Sequence, residues 1–138
     1  MGLGSFLHVW GERFDADACV AGTNLPVERL WHKGEPRRLR LRGQAPELGD
    51  SGVDIRVSEA SDLATQIADA QVFLSQHDGE IERILGLPGA SAACLDFSLS
   101  WRSDSAAQFS RFPPDLLARA AALGMWLQLS HYAEDREE

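Results

Sequence analysis

Residues 14–42 read FDADACVAGTNLPVERLWHKGEPRRLRLR. Asp15 has the short acceptor side chain of a helix N-cap. Asp17 puts a negative charge in the first turn, where the helix dipole favours it. Ala16, Ala18, Cys19, Val20 and Ala21 then make a helix of about two turns. Gly22 suits a left-handed C-terminal position, and Pro26 stops the helix from continuing. Glu28 to Pro36 reads as a loop, with its turn chemistry in Lys33-Gly34-Glu35-Pro36. From Arg37 to Arg42 the chain alternates, Leu39 and Leu41 to one side and Arg38, Arg40 and Arg42 to the other, as a half-buried strand does. A helix followed by an alternating strand is a unit of a mixed α and β protein.

The flanking sequence extends that pattern. Before it, Ser5 to Glu12 reads as a strand with Phe6, His8 and Trp10 on one face and Leu7 and Val9 on the other. Both faces are largely apolar, which places the strand at the centre of a sheet. After it, Gly43 to Gly52 is a loop. A strand follows with Val53, Ile55 and Val57 inward and Asp54, Arg56 and Ser58 outward. Ser61 caps a helix starting at Asp62, with Leu63, Ile67, Ala70 and Leu74 at helical spacing. His77-Asp78-Gly79 breaks it, a second helical piece carries Ile81, Ile84 and Leu85, and Gly86-Leu87-Pro88-Gly89 ends that piece. Ala92 to Trp101 is the clearest strand, with Leu95, Phe97, Leu99 and Trp101 opposite Asp96, Ser98 and Ser100. Ser103 to Ser110 is a polar loop, and Pro113-Pro114-Asp115 opens a helix that Gly124 closes. Met125 to Tyr132 is a last strand, and the acidic tail AEDREE is a fraying end.

The element order is therefore β-α-β-β-α-β-α-β in a single domain over 1–138. It predicts an α+β fold, a mostly antiparallel sheet with helices packed on one face. Its first six elements match a ferredoxin-like βαββαβ core, with a C-terminal αβ unit appended.

A chain of 138 residues with 44% hydrophobic content can build one core without staples. The net charge of −8 disfavours nucleic acid and anionic membrane as partners. No run is apolar enough to cross a bilayer and no signal peptide is visible, so the expectation is a soluble cytoplasmic protein. Cys19 and Cys94 lie far apart in apolar settings and read as buried free thiols.

No catalytic or metal signature stands out. None of His8, His32, His77 and His131 is at ligand spacing from another His or Cys. A two-histidine site of His8 and His131 on neighbouring strands is the one metal arrangement worth stating, against the plainer reading of polar residues on a sheet surface. No nucleophile elbow or phosphate loop is present, and no cofactor is implied. Asp96, among Ser98 and Ser100, is either one wall of a ligand site or part of a solvated sheet face.

The basic residues are unevenly placed. Arg29, Lys33, Arg37, Arg38, Arg40 and Arg42 are six of the thirteen in the chain. Taking these six, and Glu28 and Glu35 among them, from the totals leaves seven basic residues against nineteen acidic ones elsewhere. Trp31, Lys33, Arg38, Arg40 and Arg42 are thus candidates for docking a protein partner. Protection of an edge strand, or pairing with the chain's own carboxylates, explains the same row without a partner.

Phe14-Asp15-Ala16-Asp17, Leu25-Pro26 and Lys33-Gly34-Glu35, followed by Pro114 to Leu117, Leu123-Gly124 and Tyr132, resemble the bacterial domain-of-unknown-function family 4279. The resemblance spans most of the chain through short motifs. It implies a small α+β fold and assigns no catalytic residue.

Three functional expectations stand side by side. The first is a non-catalytic protein-binding module, with an immunity protein as its specific form. The second is a small-molecule-binding or enzymatic domain with a cleft between sheet and helices, walled by His8, Trp10, Asp96 and His131. The third is a self-associating structural module, a homodimer through an edge strand.

Overall fold

The computed structural model describes residues 3–38, 42–101 and 106–133. Five strands and four helices follow in the order β1 (Gly4–Gly11), α1 (Ala16–Ala21), β2 (Val27–Trp31), β3 (Ser51–Ser58), α2 (Leu63–Gln76), α3 (Asp78–Leu85), β4 (Ala92–Trp101), α4 (Pro114–Ala122) and β5 (Trp126–Ala133). The strands form one sheet in the order β2-β3-β1-β4-β5. All neighbours are antiparallel except β4 and β5, which run parallel. The protein is α+β, with a mixed, mostly antiparallel sheet. No helix among the described residues is long and apolar enough to cross a membrane.

β1 is central, as its two apolar faces predict. Leu7 pairs with Ile55 on one side and with Leu95 on the other; Val9 pairs with Val53 and Ala93. These side chains share one face and are buried. Against them pack Cys19 of α1, Ile67, Ala70 and Leu74 of α2, Ile81 and Ile84 of α3, and Leu116 and Ala120 of α4. The helices thus cover one face, and the core lies between them and the sheet. Gln66, fully buried on α2, donates through its Nε2 to Ala60 O at 3.0 Å and to Ser98 O at 2.9 Å, which ties α2 to β4. Cys19 and Cys94 are both buried and free. Cys94 pairs in register with His8, on the face opposite the core that holds Cys19, so the two thiols are separated by the sheet.

Several expected boundaries move, each for a local reason. Glu28 to Pro36 is not a loop throughout, because β2 occupies Val27–Trp31 on the edge of β3. A register shift between Val27 and Arg29 breaks the two-residue alternation that would have announced this strand. The strand expected over Arg37–Arg42 is not seen at Arg37, Arg38 or Arg42, and residues 39–41 lie outside the described residues. Pro36, which has no N–H to give a ladder, makes only an isolated bridge to Glu47. Gly34 N donates to Leu48 O at 2.8 Å, Leu48 N to Glu35 O at 2.8 Å and Arg37 N to Pro46 O at 2.9 Å. These bonds tie residues 34–37 to residues 46–48, and the two segments form an arm beside β2.

Asp15 caps α1 as expected, accepting from Ala18 N at 3.0 Å. Gly22, however, ends that helix at φ −100° rather than in the left-handed region. The cap of α2 is Asp62 and not Ser61; its carboxylate accepts from both the N and the Oγ1 of Thr65. Gly124, at φ 73°, does adopt the left-handed turn that separates α4 from β5. Positions 102–105 of the polar loop and 134–138 of the acidic tail lie outside the described residues.

Candidate binding face on the uncovered side of the sheet

Alternation along each strand sends every second side chain to the face the helices leave open. Across the middle of that face the register aligns Arg29 of β2 with Asp54 of β3, Asp54 with His8 of β1, and His8 with Cys94 of β4. Asp96 lies one pleat along β4, opposite Phe6 and beside Gln128 of β5. Phe6, Trp10, Trp31, Trp126 and Tyr132 complete the surface. Trp126 is 70% exposed and Tyr132 49%, which sets these two apart from the half-buried aromatics nearer the centre.

The centre is a charged triad. His8 donates from Nδ1 to Asp54 Oδ1 through a short bond, and from Nε2 to Asp96 Oδ2 at 3.1 Å. Ser130 Oγ donates to the other oxygen of Asp96 at 2.7 Å, and Arg29 Nη1 lies 4.0 Å from Asp54 Oδ2. The side chains of Asp54 and Asp96 retain only 13% and 7% exposure, and that of His8 22%. Burial alone would push the imidazole toward its neutral form. The two carboxylates more than offset this and hold its pKa at about 9. At neutral pH an imidazolium therefore sits between two carboxylates, with both ring nitrogens engaged as donors.

That arrangement decides what chemistry is open to these groups. A histidine with both N–H bonds donated has no lone pair for a metal or for proton abstraction. Among the described residues no group of three or more His, Cys, Asp or Glu side chains is arranged to hold a metal ion. Burial, followed by the charge of Asp96, pushes the Cys94 thiol up to about 11, far from nucleophilic use.

The four expected cleft residues divide. His8 and Asp96 are in direct contact, and Trp10 follows two residues along the same face of β1. His131 is not with them. It pairs in register with Leu99 and packs its ring edge-on to Trp101 at 5.5 Å between centroids, on the helix-covered face. β4 also lies between β1 and β5, so His8 and His131 are neither neighbours nor on one side. The group formed by His8, Trp10 and Asp96 faces away from the helices and not into a cleft beneath them.

The expected docking residues divide as well. Trp31 ends β2 with its indole laid over Gly52, where an added Cβ would stand 2.3 Å from the ring. Its Nε1 donates to Asp50 Oδ1 at 2.9 Å, and the Arg29 guanidinium stacks over it at 5.0 Å from the ring centre. Arg38 and Arg42 are exposed, and Arg40 lies outside the described residues. Lys33 is drawn off to Glu12, at 2.9 Å. Between β2 and the arm, Arg29, Trp31, Arg37 and Arg38 line a groove of about 540 Å³.

Asp54 lies on the outward face, as the alternation predicts, but its burial is not legible in that alternation. On that face it is nine-tenths buried against His8. The available signal was three ionisable residues, His8, Asp54 and Asp96, at the middles of three strands whose other faces are apolar.

Gly52→Ala tests the seat of Trp31. The new methyl would also lie 2.6 Å from Val9 O, a backbone atom that cannot swing away. The expected outcome is a loss of about 1–3 kcal/mol in urea unfolding, with a shift in the Trp31 indole N–H resonance. A variant as stable as the parent with an unmoved resonance would show that the indole does not rest there.

No protein family, no characterised protein and no solved structure matches this chain.

Proposed function

We propose that the chain is a non-catalytic protein-binding module whose contact surface is the uncovered face of its sheet. Within that class we read it as an immunity protein, and the resemblance to family 4279 belongs to the same reading. The observation that carries the proposal is that face itself. The described helices cover the other side, while this side bears Trp126, Tyr132, Trp10, Trp31 and Arg29, the residue types that anchor protein interfaces. The charged centre is internally paired, so a partner can cover it without stranding a lone charge. The locked imidazolium of His8 and the unreactive thiol of Cys94 weigh against catalysis at this surface. The order β2-β3-β1-β4 supports reading the first four strands as a ferredoxin-like core, with α4 and β5 as the appended unit.

The test is capture from the native host with the tagged chain, run in parallel with Trp126→Ser/Tyr132→Ser. Both residues are exposed, so the pair should unfold at the parent's temperature. The expected result is one protein recovered in stoichiometric amount by the parent and at least tenfold less by the double variant. Equal recovery, or no stoichiometric partner, would overturn the proposal. If the captured partner is a toxin, co-expression with the parent should restore growth and co-expression with the double variant should not.

A further inference from the structure

The groove between β2 and the arm carries a charge opposite to that of the molecule. Arg29, Arg37 and Arg38 stand around Trp31, and Asp50 is the one carboxylate among the described residues that line it. Asp50 is engaged by the indole N–H. Glu28 and Glu35, which line the adjoining hollow, are also engaged. Glu28 holds Arg56 through two bonds of 2.9 Å, and Glu35 accepts from the His32 backbone and ring. The lining is therefore net positive in a chain of net charge −8. Arg38 makes no hydrogen bond or ion pair among the described residues. Among the described residues Arg37 spends only its Nε, on Ala45 O at 2.9 Å, with its outer nitrogens turned to no described partner.

We propose that this groove seats a short acidic segment of the protein partner, its Asp or Glu carboxylates on Arg37 and Arg38 and its chain laid against Trp31. The inference rests on the protein-binding reading and adds the chemistry of the partner. A planar guanidinium receives a carboxylate through two parallel N–H bonds, and the indole offers an apolar floor already flanked by one cation. Screening at physiological salt confines the field of each charge to about 8 Å, so a short segment feels the groove and not the acidic remainder. A nucleic acid backbone would run past three arginines onto carboxylate-rich surface, and this favours a peptide over a polyphosphate.

The test uses the whole chain and a blocked hexapeptide of alternating Glu and Asp. Its controls are the matching Gln/Asn peptide and a six-nucleotide thymidine strand, all followed by NMR at the Trp31 indole and arginine Nε resonances. The acidic peptide is expected to shift those resonances, the neutral peptide not. Arg38→Glu should weaken binding about tenfold, as should raising salt from 20 to 200 mM, each step being about 1.4 kcal/mol. Since Arg38 is exposed and makes no hydrogen bond or ion pair among the described residues, that variant should keep the parent's unfolding temperature. No shift at millimolar acidic peptide, equal binding of the neutral peptide, or tighter binding of the oligonucleotide would each overturn the inference. Those failures leave the capture result with Trp126→Ser/Tyr132→Ser untouched, so the acidic segment and the protein-binding reading are tested apart.

Discussion

His8→Ala is expected to lower the unfolding free energy by about 3–5 kcal/mol, and the midpoint of thermal unfolding by roughly 10–20 °C. The loss comes less from the imidazole's own contacts than from what it leaves behind. Asp54 and Asp96, both nearly buried, would face one another without the cation between them. Arg29, at 4.0 Å and half exposed, is too distant to replace it. The size of the effect should depend on those carboxylates. In an Asp54→Asn/Asp96→Asn background the same substitution should cost less than about half as much, since no buried charge is then stranded. Urea unfolding of the four proteins measures this. A loss below about 1 kcal/mol, or the same loss in both backgrounds, would show that the triad does not organise the centre of the sheet.

The same triad should make stability fall on the alkaline side. His8 titrates at about 9 in the folded chain against an ordinary value of 6.5. A folded-state pKa above the unfolded one means the folded chain holds the proton more tightly. The stabilisation is then complete below about pH 6.5 and is lost as pH rises through 9. The difference corresponds to about 3 kcal/mol. Cys94 acts in the same direction higher up. Its thiol stays protonated to about 11 when folded, against an ordinary value of 9.0, so above pH 9 the unfolded chain gains by ionising. Urea midpoints between pH 6 and 9 follow His8 together with His32, whose pKa the Asp17 and Glu35 carboxylates also raise. The His8 part is the difference from the Asp54→Asn/Asp96→Asn protein. Cys94→Ala removes that thiol from the range above, where buried Cys19 is raised as well. The parent should lose about 3 kcal/mol as the pH passes through 9, and the Asp54→Asn/Asp96→Asn protein much less. A flat profile in the parent would contradict the geometry around His8.

Much of the fold can be read from apolar spacing, and the reason shows in particular strands. Leu7 and Val9 opposite Phe6, His8 and Trp10, or Leu95 to Trp101 opposite Asp96 and Ser98, announce both a strand and its two faces. Asp15 announces a helix start because a short acceptor followed by alanines has little else to do. β2 does not announce itself. The register shift between Val27 and Arg29 sets Val27 opposite Ile55 and Leu30 opposite Val53, so the strand's two core-facing residues are three apart and show no two-residue spacing. The alternation of arginine and leucine after Pro36 is the converse case, a strand-like pattern whose described residues lie outside the sheet. The candidate site was half legible. The choice of Trp31 and Arg38 rested on charge and aromatic content, which a sequence displays directly. The contact of His8 with Asp54 and Asp96 depends on strand order, and sequence separations of 46 and 88 residues carry no mark of it. His131 was grouped with His8 for the same want of strand order.

The bonds from His8 to both flanking strands also bear on how the chain chooses among its own alternatives. On the covered face, sliding β1 by two residues would keep the same set of side chains inward, because Ser5, Leu7 and Val9 succeed one another there. Burial alone discriminates weakly between such alignments, since a two-residue slip preserves which side chains face the core. On the open face the same slip would put Phe6 or Trp10 between Asp54 and Asp96 and leave two carboxylates facing an aromatic ring. One histidine thereby checks both ladders of the central strand at once. The alignment error that the oily side tolerates is the one that the charged side rejects.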